Sequence, residues 1–191
     1  MKKRTRSYGR YSSGMSAVNE NRNNLVVIAT GSQQSQISSA STVAMELRKC
    51  EQPVDLTWVS SGNSKIRSIC RRHQIHLIGL SMNRKGVVKS FWQTLKETIH
   101  FTNFFGFNRP KAVVSFGGAE CVPVLAAARF QSVPYYLYEQ NSVPSLISRF
   151  FGGGAQRVFL GFPQVDPRQL HGVSELTGVP VRLVDRPYDD K

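Results

Sequence analysis

The stretch LVVIATGSQQSQISSASTVAMEL, Leu25 to Leu47, constrains the fold more than any other part of the chain. An apolar run, Leu25 to Thr30, enters a turn with a single glycine and leaves it into a helix expected over Ser38 to Cys50, with Val43, Leu47, Ala40 and Ala44 facing inward. The same grammar recurs. Apolar runs at 54–61, 75–81, 111–116, 134–139 and 157–162 alternate with helical sequence at 65–73, 88–105, 120–130 and 144–151. Strands separated by helices of this length demand crossover connections, so the prediction is an α/β fold: a single Rossmann-like, doubly wound parallel sheet. After Pro163 the sequence reads as loop.

The chain of 191 residues, 40% apolar and 10% aromatic, suffices for one core. Residues 1–23 hold six Lys or Arg against Glu20 alone and read as a solvated, disordered basic tail. The domain is expected over 24–182, with 183–191 a C-terminal tail, and either Met1 or Met15 as the start. A net charge of +13 calls for an anionic partner: nucleic acid, anionic lipid or a phosphorylated substrate. Between 82 and 111, Phe91, Trp92, Phe101, Phe104, Phe105 and Phe107 alternate with basic residues. A helix there would bury one stripe, Trp92, Leu95 and Ile99, against the sheet; the alternative is a membrane-surface helix with aromatics at the headgroups and cations on anionic lipid. Cys50, Cys70 and Cys121 lack metal-site or disulfide spacing and read as buried small apolar residues in a reducing compartment. No metal or cofactor is expected, and neither a signal peptide nor a spanning helix is visible.

Ligands of an open parallel sheet lie beyond the carboxyl ends of its strands, which points to Gly31 to Gln36, Ser60 to Asn63, Gly117 to Glu120 and Glu139 to Asn141. Gly117-Gly118 permits close backbone approach. Glu139, behind Tyr135, Tyr136, Leu137 and Tyr138, is either a general base or a buried anchor that needs hydrogen-bond partners.

The stretch PKAVVSFGGAECVPVLAAARFQSVPYYLYEQNSVPSLISRFFGGGAQRVFLGFPQ, 110–164, resembles the acceptor half of the MurG-type transferases, with Gly117, Gly118, Pro123, Glu139, Gln140, Asn141, Arg149, Phe162 and Pro163 in matching places. TGVPVR (177–182) and MNRKG (82–86) extend the likeness. The resemblance implies the N-terminal half of a GT-B fold, and transfer of GlcNAc from UDP-GlcNAc to a polyprenyl-pyrophosphate-linked acceptor. It further implies a peripheral position on the inner face of the cell membrane, in the cytoplasm. It assigns Gly31, Ser32, Gln33, Asn141 and Arg182 to the donor sugar and nucleotide, and Gly117, Gly118 and Gln140 to the acceptor and its diphosphate; Glu139 and Glu120 are the candidate bases. Since the sequence ends nine residues past Arg182, the donor half is expected on a separate Rossmann-like chain, as in the eukaryotic two-subunit enzyme that extends dolichol-pyrophosphate-GlcNAc.

The family's first loop is Gly-Gly-Thr-Gly-Gly-His, and TGSQQSQ replaces its later glycines and its histidine with glutamines and serine. A neutral amide cannot accept a proton. A non-catalytic protein that binds a lipid-linked sugar or a partner is therefore the second reading. Nucleic acid, supported by charge alone, is not expected.

Overall fold

A computed structural model describes residues 24–52, 54–80 and 87–180, with the side chains of 87–90 and of Pro167 left aside. The tails, Arg182 and the 82–86 stretch lie outside the described residues. The strands are β1 (Leu25–Ala29), β2 (Asp55–Ser60), β3 (His76–Gly79), β4 (Ala112–Ser115), β5 (Tyr135–Glu139), β6 (Arg157–Leu160) and β7 (Ser174–Leu176). They form one sheet in the order β3-β2-β1-β4-β5-β6-β7, and every pairing is parallel. All five residues of β1 are buried, as a central strand covered on both faces requires.

The helices are α1 (Gln34–Leu47), α2 (Ser64–Arg72), α3 (Val87–Asn108), α4 (Val122–Phe130) and α5 (Leu146–Phe151). On one face, Ile37, Ala40 and Ala44 of α1 and Ile66 and Cys70 of α2 pack on Val26, Ile28, Leu56 and Trp58. On the other, Phe101 and Phe105 of α3, Val124 and Leu125 of α4 and Phe151 of α5 pack on Val27, Val59, Val113, Leu137 and Val158. The strand order reverses between β1 and β4, which makes their carboxyl ends the switch point of the sheet.

Four expectations are corrected. Helix α1 starts at Gln34, not Ser38, because Gln33 is already the extended residue ahead of the first turn; Ala40 and Ala44 are buried but Val43 and Leu47 only partly so. In α3 the predicted stripe is the outer one: Trp92, Leu95 and Ile99 are 58%, 40% and 54% exposed, whereas Phe101 and Phe105 are at 0% and 1%. Each buried phenylalanine contributes roughly 2–3 kcal/mol, so the two four residues apart set the helix's rotation against α4 and the sheet. A seventh strand, β7, occupies what reads as loop. Its register is set by backbone pairing to β6, Val158 opposite Ser174 and Leu160 opposite Leu176. Finally, Cys50 is exposed, just beyond the end of α1.

The other two cysteines are buried, and burial pushes the Cys70 thiol up to about 11 and the Cys121 thiol to about 12. A disulfide-exchange reagent at pH 8 should therefore modify Cys50 alone in the native protein, and all three thiols in denaturant. Because both folded values lie above the unfolded value of 9.0, their contribution to stability is complete below pH 9 and is lost as pH rises toward 11 to 12. Denaturant midpoints across that window check the sign.

Candidate functional site at the switch point

The turn after β1 and the turn after β4 are joined by backbone. Gly31 N–H donates to the Gly117 carbonyl at 2.9 Å, one step beyond the ladder bond from Phe116 N–H to the Ala29 carbonyl. Gly117 and Gly118 have φ of 84° and 97°. A Cβ on Gly118 would stand 2.6 Å from the Gly31 Cα, so the two chains touch where neither can carry a side chain. Behind them, Trp58 Nε1 donates to the buried Thr30 Oγ1 at 2.9 Å, which holds the last residue before the turn.

The space above Gly31 is taken up by side chains. Gln36, in the first turn of α1, is only 6% exposed. Its carboxamide lies against Gly31 and Gly117, and the Glu120 carboxylate reaches the same place from the other turn. The Oε1 atom of Gln36 and the Oγ of Ser60, at the end of β2, are buried and have no hydrogen-bond partner among the described residues. The Gly31 amide is thus already bonded and its Cα covered, so TGSQQSQ leaves no open backbone cradle above Gly31: the place is taken by the protein's own Gln36 amide. Ser32 is half-buried and Gln33 is exposed on the same turn.

Next along the edge, Glu139 ends β5 at 2% exposure. Its Oε1 accepts from the Asn141 backbone N–H at 3.0 Å and from Asn141 Nδ2 at 2.8 Å. Its Oε2 accepts from the Ser145 N–H at 2.8 Å and from Ser148 Oγ at 2.6 Å. Four donors on one buried carboxylate make an anchor: the loop 140–145 is closed on it, Asn141 is oriented by it, and α5 begins from it. Ser145 Oγ in turn accepts from the Ser148 N–H at 3.2 Å as the N-cap of α5. This moves the start of α5 from the expected Pro144 to Leu146.

Tyr138, next to Glu139 on β5, packs its ring on Phe116 and donates to the Gly178 carbonyl at 3.3 Å. Burial first, then the Glu139 charge, pushes its hydroxyl above the ordinary tyrosine range, so it stays protonated.

The fold therefore brings Gly31, Ser32, Gln33, Gly117, Gly118, Glu139, Gln140 and Asn141 to one edge of the sheet. The inward turn of Gln36 and the two serines on Glu139 escape sequence reasoning; the Ser145-x-x-Ser148 spacing is the one signal that could have suggested the cap.

Comparison with known proteins agrees with this fold. An N-acetylglucosamine transferase of Brucella canis, named for transfer to N-acetylmuramyl-(pentapeptide) pyrophosphoryl-undecaprenol, is 26% identical over 162 residues, covering 83% of this chain and 42% of its own length. The Brucella suis protein of the same name matches equally. The chain thus spans less than half the length of these relatives. Among solved structures, MurG of Acinetobacter baumannii superposes with a TM-score of 0.69 at 20% identity, over 84% of this chain and 47% of that one. The UDP-GlcNAc 2-epimerase of Neisseria meningitidis gives 0.57 at 14% identity, over 73% and 40%. Residues 26–160, from β1 through β6, match the glycosyltransferase family 28 N-terminal domain, and it is to that family that the chain belongs.

Proposed function

We propose that this chain is the acceptor-binding half of a hexosyltransferase that moves GlcNAc from UDP-GlcNAc to a polyprenyl-pyrophosphate-linked acceptor, working with a separate donor-binding Rossmann-like chain. The observation that carries the reading is the Glu139 anchor, which fixes Asn141 and its loop at the switch-point edge of a family 28 domain. Support for the substrates comes from the names of the Brucella relatives.

In this reading Asn141, Ser32 and Gln33 meet the donor sugar, Gly31 supports their turn, and Arg182 reaches the nucleotide. Gly117, Gly118 and Gln140 hold the acceptor's diphosphate. An inverting displacement needs a proton acceptor for the attacking hydroxyl and donors for the departing diphosphate. Glu139 has both oxygens engaged and serves as a positioning residue, so the proton goes to Glu120 or to a group of the donor-binding chain.

The exposed stripe of α3, Phe91, Trp92, Leu95 and Ile99, supports docking on the cytoplasmic face of an anionic membrane. No described helix is long and apolar enough to cross one.

The test is GlcNAc incorporation into a polyprenyl-linked acceptor by the chain assembled with its donor-binding partner. Asn141→Ala is expected to lower turnover about 100-fold and, because it removes the Nδ2 donor from the buried Glu139 carboxylate, to lower the melting temperature by a few degrees while the chain stays folded under assay conditions. A second reading, a non-catalytic protein that holds a lipid-linked sugar, is favoured by one observation: Gln36 fills the cradle above Gly31. Acceptor binding with no incorporation in any assembly would establish that one instead.

A further inference from the structure

Between α4 and α5 runs a groove that none of the residues above uses. Its volume is about 560 Å³ and its lining is Val122, Leu146, Ile147, Arg149, Phe150 and Phe151. Leu146 and Phe150 are 80% and 78% exposed and lie four residues apart, on one face of α5. Both ends of the groove belong to the candidate site. Val122 follows the 3-10 turn Ala119–Cys121 that closes the Gly117-Gly118 pair. Leu146 follows Ser145, whose N–H is held by Glu139.

Its own lining carries a single charged side chain, and that charge is positive. From residue 121 to 165 the chain carries Arg129, Arg149, Arg157 and a single carboxylate, Glu139, which is buried and already holds four donors. Arg157 pairs with Glu175. Arg149, in the groove's own lining, pairs with no carboxylate among the described residues. Apolar walls with one unpaired guanidinium complement an apolar chain that ends in a phosphate.

We propose that the α4–α5 groove holds the first isoprene units of the lipid-linked acceptor, with Arg149 meeting its phosphate. This rests on the acceptor reading above and adds the path of the lipid chain away from the sheet's edge.

Calorimetric titration of the full chain with farnesyl diphosphate and with inorganic pyrophosphate tests it. The wild type should bind farnesyl diphosphate about tenfold more tightly than pyrophosphate, about 1.4 kcal/mol. Leu146→Ser and Phe150→Ser, both at exposed positions, without added charge and checked by melting temperature, should abolish that preference and leave pyrophosphate binding unchanged. Arg149→Gln should weaken both ligands. Variants that keep the tenfold preference would overturn the groove while leaving the acceptor reading intact. No binding of either ligand by the wild type would overturn both. Self-association in sedimentation that is lost in Leu146→Ser would assign the groove to a second copy and overturn the proposal as well.

Discussion

Glu139→Gln is expected to lower the free energy of unfolding by about 3 kcal/mol, although it changes neither the volume nor the shape of the side chain. Both carboxylate oxygens receive two hydrogen bonds in a site only 2% exposed. A carboxamide offers one acceptor oxygen, and its amino group would face two donors on the other side. Hydrogen bonds to a charged group contribute about 1.5–3 kcal/mol each, and a buried donor left without an acceptor costs about 1–3 kcal/mol. Either pair lost, Asn141's or that of Ser145 and Ser148, therefore accounts for the figure. Urea titration followed by circular dichroism measures it. The same variant separates anchor from base. An anchor's loss lowers stability and weakens donor binding through Asn141, whereas a base's loss would lower turnover with stability intact.

The distribution of what could be read from sequence has physical causes. The first six strands are legible because a parallel strand covered on both faces must be a continuous apolar run, as LVVIA and AVVS are. Strand β7 is not legible: Ser-Glu-Leu is short and largely exposed, and only its backbone pairing with β6 makes it a strand. The start of α1 is hidden for a related reason. Gln33 makes no side-chain cap and no acidic residue lies in the first turn, so none of the usual start signals is present. What places the Gln36 side chain inward is its fit against two glycines, Gly31 in the turn before the helix and Gly117, which is distant in sequence and comes from the turn after β4. The rotation of α3 is ambiguous from sequence because aromatics occur on more than one side. Packing on α4, with Gln131 Nε2 donating to the Thr102 carbonyl at 3.1 Å, resolves it.

At the candidate site the same division holds. Position is legible, since the edge follows from strand order; chemistry is less so, since it depends on which way short polar side chains turn. Glu139 shows this in one residue. Its place after an apolar strand is plain from Tyr-Tyr-Leu-Tyr-Glu, but its four donors come from Asn141, Ser145 and Ser148, which only the closed loop brings around it. That closure is what turns a possible base into a support for Asn141.

Gly118→Ala is expected to lower the free energy of unfolding by about 3–5 kcal/mol. Two effects add. The residue adopts φ 97° and ψ 142°, a region that L side chains reach only with about 1–3 kcal/mol of strain. The new Cβ would also stand 2.6 Å from the Gly31 Cα and 3.0 Å from the Gly31 nitrogen, and overpacking against backbone costs about 1–3 kcal/mol more. Neither contact atom can rotate away. Relief requires the β1 and β4 turns to separate, which would break the 2.9 Å bond from Gly31 N–H to the Gly117 carbonyl and open the switch point itself. Gly178→Ala is the control: its φ of 76° is equally left-handed but nothing lies within 4 Å of its Cβ, so about 1–2 kcal/mol from backbone conformation alone is expected. Thermal denaturation of the two variants side by side isolates the steric part. Equal losses would show that the two turns can part freely and that the Gly31–Gly118 contact does not hold the site together. A larger loss in Gly118→Ala would identify that contact as the structural reason for the glycine pair, independent of any ligand the edge binds.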